Sequence, residues 1–214
     1  MSDPPTGPAA IALRDERRLL KQRTRRTRWL VWALVPFVAV CAPLATTPWL
    51  LVPLKMLGLL CLVACMVGRA WSALYIGERK RHELICDGPF SIVRNPLYLA
   101  SFIGTIGAAM QSGMFTLLAI AVLAFMAYHW MTVAREEEFL RERHGPAYDA
   151  YVRAVPRWWP KLSGWRDVPR VSVSPALLLK YLGESSFFFL SIFFFEAVRA
   201  LQGAGIVPVL LRLP

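Results

Sequence analysis

At 214 residues the chain has the length of one domain or one compact membrane bundle, and 56% of it is hydrophobic against 18% charged. Its net charge of +11 would suit a nucleic-acid binder, but twenty of its 25 Lys and Arg fall in residues 1–28, 78–94 and 135–170, which alternate with long uncharged runs. That is the positive-inside pattern: it places the N-terminus and polar loops in the cytosol, makes membrane lipids the expected neighbours in a plasma or inner membrane, and excludes nucleic acid as the expected partner.

In chain order, residues 1–28 form a basic cytosolic arm and residues 29–214 a membrane domain. Trp29 to about Thr46 is expected as a first span, acting as a signal anchor rather than a cleaved signal because its apolar stretch is too long and no small-x-small site follows. Thr46-Thr47-Pro48 turns the chain, and Leu50 to about Tyr75 returns it. Arg69 falls inside this second span. It is read either as a functional charge or as a side chain snorkelling to the headgroups. A polar loop, Glu78 to Val93, leads to the short apolar helix Pro96–Met110, about 22 Å long at 1.5 Å per residue. That is short for a crossing unless the helix is tilted or its start is buried in protein. Gly104, Gly107, Ala108 and Ala109 would let neighbouring helices approach it closely. After a turn at Gln111-Ser112-Gly113, Met114 to Ala134 makes a full span that runs into Arg135-Glu136-Glu137-Glu138. Residues 135–170 are amphiphilic, and Leu177–Leu201 is a fifth apolar segment, either spanning or partly interfacial; the tail from Gly203 to Pro214 has no assigned place.

The expected fold is all-α: a polytopic membrane helix bundle of about five transmembrane helices with a cytosolic cofactor pocket. No internal repeat suggests a transporter built of two halves. Cys41, Cys61 and Cys65 sit in apolar runs and Cys86 stands alone, so neither a disulfide framework nor a metal set is indicated. His82-Glu83-Leu84-Ile85-Cys86 has part of a zinc spacing but lacks a third ligand, so no metal is expected. Glycine-rich nucleotide loops are missing as well.

Chemistry concentrates in two places. Gly88-Pro89 enforces a turn, after which Phe90 to Val93 can run extended. Pro96 suits the first position of a helix and disfavours a helical Asn95, which becomes the expected N-cap. The free N–H groups of that helix start, with Arg94, would receive a carboxylate or phosphate, and Tyr98 adds a ring and a hydroxyl one turn in. Alternatively, Asn95-Pro96 does no more than cap a membrane helix. In the second place, Glu136, Glu137 and Glu138 continue the phase of the preceding span. Three adjacent carboxylates cannot share one partner, so at least one must face solvent or a neighbouring arginine.

Taken together, Gly88-Pro89-Phe90, Arg94-Asn95-Pro96-Leu97-Tyr98, Glu136-Glu137-Glu138-Phe139-Leu140, Gly145-Pro146-Ala147-Tyr148-Asp149-Ala150-Tyr151 and Val155-Pro156-Arg157 resemble the isoprenylcysteine carboxyl methyltransferase and phospholipid methyltransferase family, over roughly residues 80–160. The resemblance implies an integral-membrane methyltransferase that binds S-adenosylmethionine in a cytosolic pocket and takes a lipid-like or prenylated acceptor from the bilayer, with a small hydrophobic molecule as an alternative acceptor. It implies cofactor contacts from Pro89, Phe90, Arg94, Asn95, Pro96, Tyr98, Glu136, Glu137 and Tyr148, with Arg94, Asn95 and Glu137 nearest the chemistry. Asn95 stands where the family has histidine, so proton transfer there is lost while hydrogen bonding is kept. Ala100 stands where glycine is frequent. Two rival readings are an NADPH-dependent membrane sterol or enone reductase, whose architecture is similar in the C-terminal half, and a non-enzymatic membrane transport or binding module.

Overall fold

A computed structural model describes residues 36–44, 47–77 and 83–214. They form α1 (Pro48–Ile76), the single-turn α2 (Pro89–Ile92), α3 (Pro96–Met110), α4 (Phe115–His144), α5 (Pro146–Ala154) and α6 (Pro175–Gly203), with a 3-10 turn at Leu162–Gly164. Two three-residue strands, β1 (Cys41–Pro43) and β2 (Leu211–Leu213), pair in parallel.

Proline opens α1, α2, α3, α5 and α6, each time at a position where the missing N–H costs nothing. Ser174 caps α6 by accepting from the Leu177 N–H. Glycines at positive φ close α1 and α4, Gly77 at +42° and Gly145 at +52°. Helices α1, α4 and α6 have 29, 30 and 29 residues and are each long and apolar enough to cross a membrane. The chain is thus an all-helical membrane bundle, with the strand pair as its one small exception among the described residues.

Successive helices alternate in direction. One end of the bundle therefore gathers the end of α1, the starts of α3 and α6, the end of α4, and the loops around residues 83–95 and 145–174. The far end holds the α3–α4 turn and the strand pair. The short α3 lies at the centre and packs against α1, α4 and α6. Its contact with α1 is a backbone-to-backbone approach: a Cβ on Gly107 would meet the Gly58 carbonyl oxygen at 2.6 Å and the Leu62 nitrogen at 3.0 Å. Small residues thus let a 15-residue helix sit inside the bundle, with protein around its start rather than lipid.

Several expectations need adjusting. The basic arm, residues 1–28, and half of the first span, Trp29 to Thr46, fall outside the described residues; of the span's described part, residues 36–39 are helical and Cys41–Pro43 is a strand. The cause lies at the other end of the chain. The tail that sequence alone left unplaced supplies β2, and Leu44 N donates to Leu213 O at 2.7 Å while Leu210 N donates to Val40 O at 2.9 Å. The far end is closed further by Arg199, which donates to Ser112 O at 2.7 Å, and by an ion pair between Lys55 and Glu196. The expected extended run from Phe90 to Val93 is instead helical as far as Ile92, because the Val93 N–H closes back on Pro89 O at 3.2 Å. The last apolar segment, expected from Leu177, starts at Pro175 and continues to Gly203 as one helix.

Candidate functional site

The turn before α3 is built by Gly88. Its φ of +57° is one that other residues adopt at a cost, and a side chain there would run into the Tyr75 ring. Ser91 Oγ donates back to Gly88 O at 2.7 Å, and the Tyr151 hydroxyl donates to Phe90 O at 2.8 Å. A second layer comes from the loop after α5. Gly88 N donates to Arg166 O (2.8 Å), Lys161 N to Ile92 O (2.9 Å) and Arg94 N to Pro156 O (2.9 Å). Trp71 and Trp165 stack at 5.5 Å, and the Tyr75 hydroxyl donates to Asp167 Oδ1 at 2.7 Å, so the loop is also fastened to the end of α1.

Helix α4 does not stop where its apolar stretch ends; it continues to His144. Carboxylates are unfavourable at a helix C-terminus, and the continuation keeps all three away from it; the 100° step per residue then sends them apart. Glu136 turns to α3 and accepts from the Tyr98 hydroxyl at 3.0 Å. Glu137 is 6% exposed and Glu138 faces outward. Buried Glu137 is surrounded by donors. Arg157 Nε donates to Oε1 at 3.0 Å and a second Arg157 nitrogen reaches Oε2, giving the two-pronged pairing that suits guanidinium and carboxylate. Asn95 Nδ2 donates to Oε1 at 3.4 Å. Arg94 Nε lies 3.3 Å from the same oxygen, within ion-pair distance but without hydrogen-bond geometry, and is left as a buried donor with no hydrogen bond.

Asn95 occupies the cap position of α3, as expected, yet its side chain makes no cap hydrogen bond; Glu137 has drawn it away. A pocket of about 650 Å³, counting its open mouth, lies against this helix start. Its polar wall is Glu83, Arg94, Asn95, Tyr98, Glu136 and Tyr151, and its apolar wall includes Leu84, Ile85, Phe90, Pro96 and Leu140. Of the residues singled out in the sequence, Phe90, Arg94, Asn95, Pro96, Tyr98 and Glu136 line this pocket. Pro89 is buried beneath the turn. Glu137 lies in the ion cluster with Arg94. Tyr148 is 1% exposed, packed with Tyr151 and Val155. Burial, with the Glu137 charge adding to it, pushes the Tyr148 phenol up to about 12, so it stays protonated at physiological pH.

Arg157 is the residue that sequence reasoning passed over, although it stands in the quoted Val155-Pro156-Arg157. Its role depends on a loop folding back onto α4, and no local pattern announces that. Hydrogen bonding to Glu137 raises its pKa above the usual arginine value, and two guanidinium groups lie against the one Glu137 side chain.

Comparison with known proteins fits this geometry. Residues 50–147 match the phospholipid methyltransferase family. Along most of its length the chain is similar to the nickel-cobalt-cadmium resistance protein NccN of Alcaligenes xylosoxydans xylosoxydans, at 33% identity over 88% of this chain and 91% of that protein. It is also similar to the cobalt-zinc-cadmium resistance protein CzcN of Cupriavidus metallidurans, at 28% identity over 98% and 96% of the two chains. A third relative is the protein-S-isoprenylcysteine O-methyltransferase of Schizosaccharomyces pombe, 30% identical over 49% of this chain and 48% of that one. No solved structure matches. With the pocket set at the start of α3 and the paired glutamates returned to it by the next long helix, the matched region and its place in the bundle agree: the chain belongs to the phospholipid and isoprenylcysteine methyltransferase family of integral membrane proteins.

Proposed function

We propose that the chain transfers a methyl group from S-adenosylmethionine to a lipid-like or prenylated acceptor, at the cytosolic face of the membrane in which it sits. The observation that carries this reading is the pocket wall. Arg94 stands at one side of the α3 start, and Glu136, held by Tyr98, stands at the other. Such a wall suits a ligand with an anionic and a cationic group a few ångströms apart, and the apolar side suits an uncharged ring. An amino-acid end attached to a nucleoside fits that description.

When bound, S-adenosylmethionine supplies an electrophilic methyl group. The chain's own part is placement. The N–H groups at the α3 start and Arg94 hold the carboxylate end. Glu136 faces the positive charge, its orientation fixed by the Tyr98 hydroxyl. Glu137 is committed to Arg94, Arg157 and Asn95, so it positions Arg94 rather than meeting the ligand's cation. Asn95, a donor and acceptor without acid–base capacity, holds geometry. Leu84, Ile85, Phe90 and Leu140 exclude water, which strengthens every charge interaction inside.

Titration of the purified protein with S-adenosylhomocysteine and with NADPH tests the assignment. Saturable binding of the first, and methylation of a membrane-lipid extract from radiolabelled S-adenosylmethionine, is the expected outcome; binding of NADPH alone would hand the pocket to a reductase. Glu136→Gln should weaken S-adenosylhomocysteine binding by about 10- to 100-fold, the worth of a hydrogen bond to a charged group. The names of the two relatives matched along most of their length also give the reaction a physiological setting. If it serves tolerance to nickel, cobalt, zinc or cadmium, cells lacking the chain should regain growth on those metals with the wild-type protein and not with Glu136→Gln.

A further inference from the structure

Arg69 does not snorkel. It lies seven residues before the end of α1, about 10 Å into the bundle from that end. Its guanidinium points inward: Nη1 donates to Ser101 on α3 at 2.6 Å, Nε to Ser185 on α6 at 2.9 Å, and Nη2 to Glu184 Oε2 at 2.6 Å, with the Tyr181 ring at 5.3 Å. Ser101 and Ser185 are buried, whereas the Glu184 side chain is 45% exposed.

This cluster adjoins the pocket. Ser101 follows Tyr98 by one turn of α3 and shares its face, and Tyr181 lies within electrostatic range of both Tyr98 and Glu136. Helices α4 and α6 each pack on α3 but hardly on each other, so α3 forms the floor of a groove between them. At its polar end the α3 floor carries Tyr98, bonded to Glu136 of α4. Charge in its wall is uneven. Glu184 serves two cations, Arg69 through Oε2 and Lys180 through Oε1 at 3.9 Å. Two positive charges therefore share one carboxylate; Arg69 is the covered member, whereas Glu184 and Lys180 are both exposed.

We propose that Arg69 is an anion-binding subsite of this groove, held by Glu184 in the free protein and taken over by the phosphate or carboxylate of an amphiphilic molecule entering from the bilayer, while Glu184 swings to Lys180. The serines keep the guanidinium aimed during the exchange, and the two cations then carry two anionic partners. Calling that amphiphile the methyl acceptor rests on the methyl-transfer reading; the anion site itself does not. A headgroup seated at Arg69 would lie about one helical turn from Tyr98, which sets the distance between the anionic group and the atom to be methylated.

The test uses full-length protein in detergent, titrated with hexadecyl phosphate, hexadecanoate and hexadecanol. Wild type should bind at least one of the two anions about tenfold or more tighter than the alcohol, the worth of one charge-assisted hydrogen bond, and the tighter of the two identifies the source. Glu184→Gln removes the competing charge and keeps the side-chain shape, so it should tighten the preferred anion several-fold and leave hexadecanol unchanged. Arg69→Gln should bring anion and alcohol to equal affinity. A Glu184→Gln protein that binds the anion no tighter than wild type overturns the proposal, as does an Arg69→Gln protein that keeps the preference. Should Arg69→Gln fail to fold, Glu184→Gln decides alone. S-adenosylhomocysteine is titrated in the same preparations: if wild type does not bind it while the anion preference depends on Arg69, the methyl-transfer reading falls and the anion site stands.

Discussion

At the scale of single residues, the three consecutive glutamates show how a helix distributes one chemistry among three environments. Glu136 accepts from the Tyr98 hydroxyl and faces the pocket, whereas Glu137 is buried against Arg94, Asn95 and Arg157. Removing buried Glu137 would leave two guanidinium groups, Arg94 nearly covered and Arg157 about a third exposed, without their counter-charge. Glu137→Ala should therefore destabilise the protein by about 3–5 kcal/mol, read as a lowered unfolding midpoint in detergent. Glu136→Gln should shift that midpoint by less than about 1 kcal/mol, because its effect belongs to ligand binding. The contrast was only half legible in the sequence. That three adjacent carboxylates must part company follows from 100° steps, but which one is buried depends on Arg157 arriving from a loop twenty residues later. Asn95 illustrates the same limit: its position as helix cap was readable, whereas its side chain answers to Glu137, a partner 42 residues away.

At the scale of elements, the short helix α3 carries the site, and its length is tied to its burial. The bounds Pro96–Met110 were legible because a proline, an uncharged run and a Gln-Ser-Gly turn are all local signals. Its glycines likewise announced close packing, and the structure shows against what: Gly104 against Cys65, Gly107 against Gly58 and Cys61. A methyl group on Gly107 would meet the Gly58 carbonyl and push α3 off α1, since backbone cannot rotate aside as a flexible side chain would. Gly107→Ala should thus cost about 1–3 kcal/mol, and it should also weaken S-adenosylhomocysteine binding, because the displaced helix carries Asn95, Pro96 and Tyr98. Gly183→Ala, where no atom lies within 4 Å of a new Cβ, serves as the control: it should not destabilise the protein and should leave binding unchanged. What the local signals did not reveal was the helical turn Pro89–Ile92, whose last residues are pinned by Tyr151 and Lys161 from other elements.

At the scale of the whole molecule, the bundle keeps its two ends for different tasks. Long apolar runs and their basic flanks made the membrane helices and the common end of the polar loops readable in advance. The far end was not readable, because it is closed by contacts between residues some 160–170 apart in sequence: β1 on β2, and Gln202 Nε2 donating to Ala39 O at 2.8 Å and Cys41 O at 3.1 Å. Thr116 adds a fastening there, donating through both its N–H and its hydroxyl to Pro214 O at 2.8 and 3.1 Å. Deleting residues 207–214 removes the strand pairing and both Thr116 bonds, and strips the cover from the apolar wall formed by Leu44, Leu50, Leu51 and Phe115. Several backbone hydrogen bonds at about 1 kcal/mol each, together with the lost apolar contact, should lower the unfolding midpoint clearly. Yet the pocket lies at the opposite end of α1, α3 and α4, and its own fastenings come from the loops around residues 83–95 and 155–167. The truncated protein, held below its new midpoint, should therefore bind S-adenosylhomocysteine within about twofold of wild type, a difference under about 0.5 kcal/mol. A loss of affinity that tracks the loss of stability would mean that α6 and the tail transmit strain to the pocket; retained affinity in a less stable protein places stability and ligand binding at separate ends of one bundle.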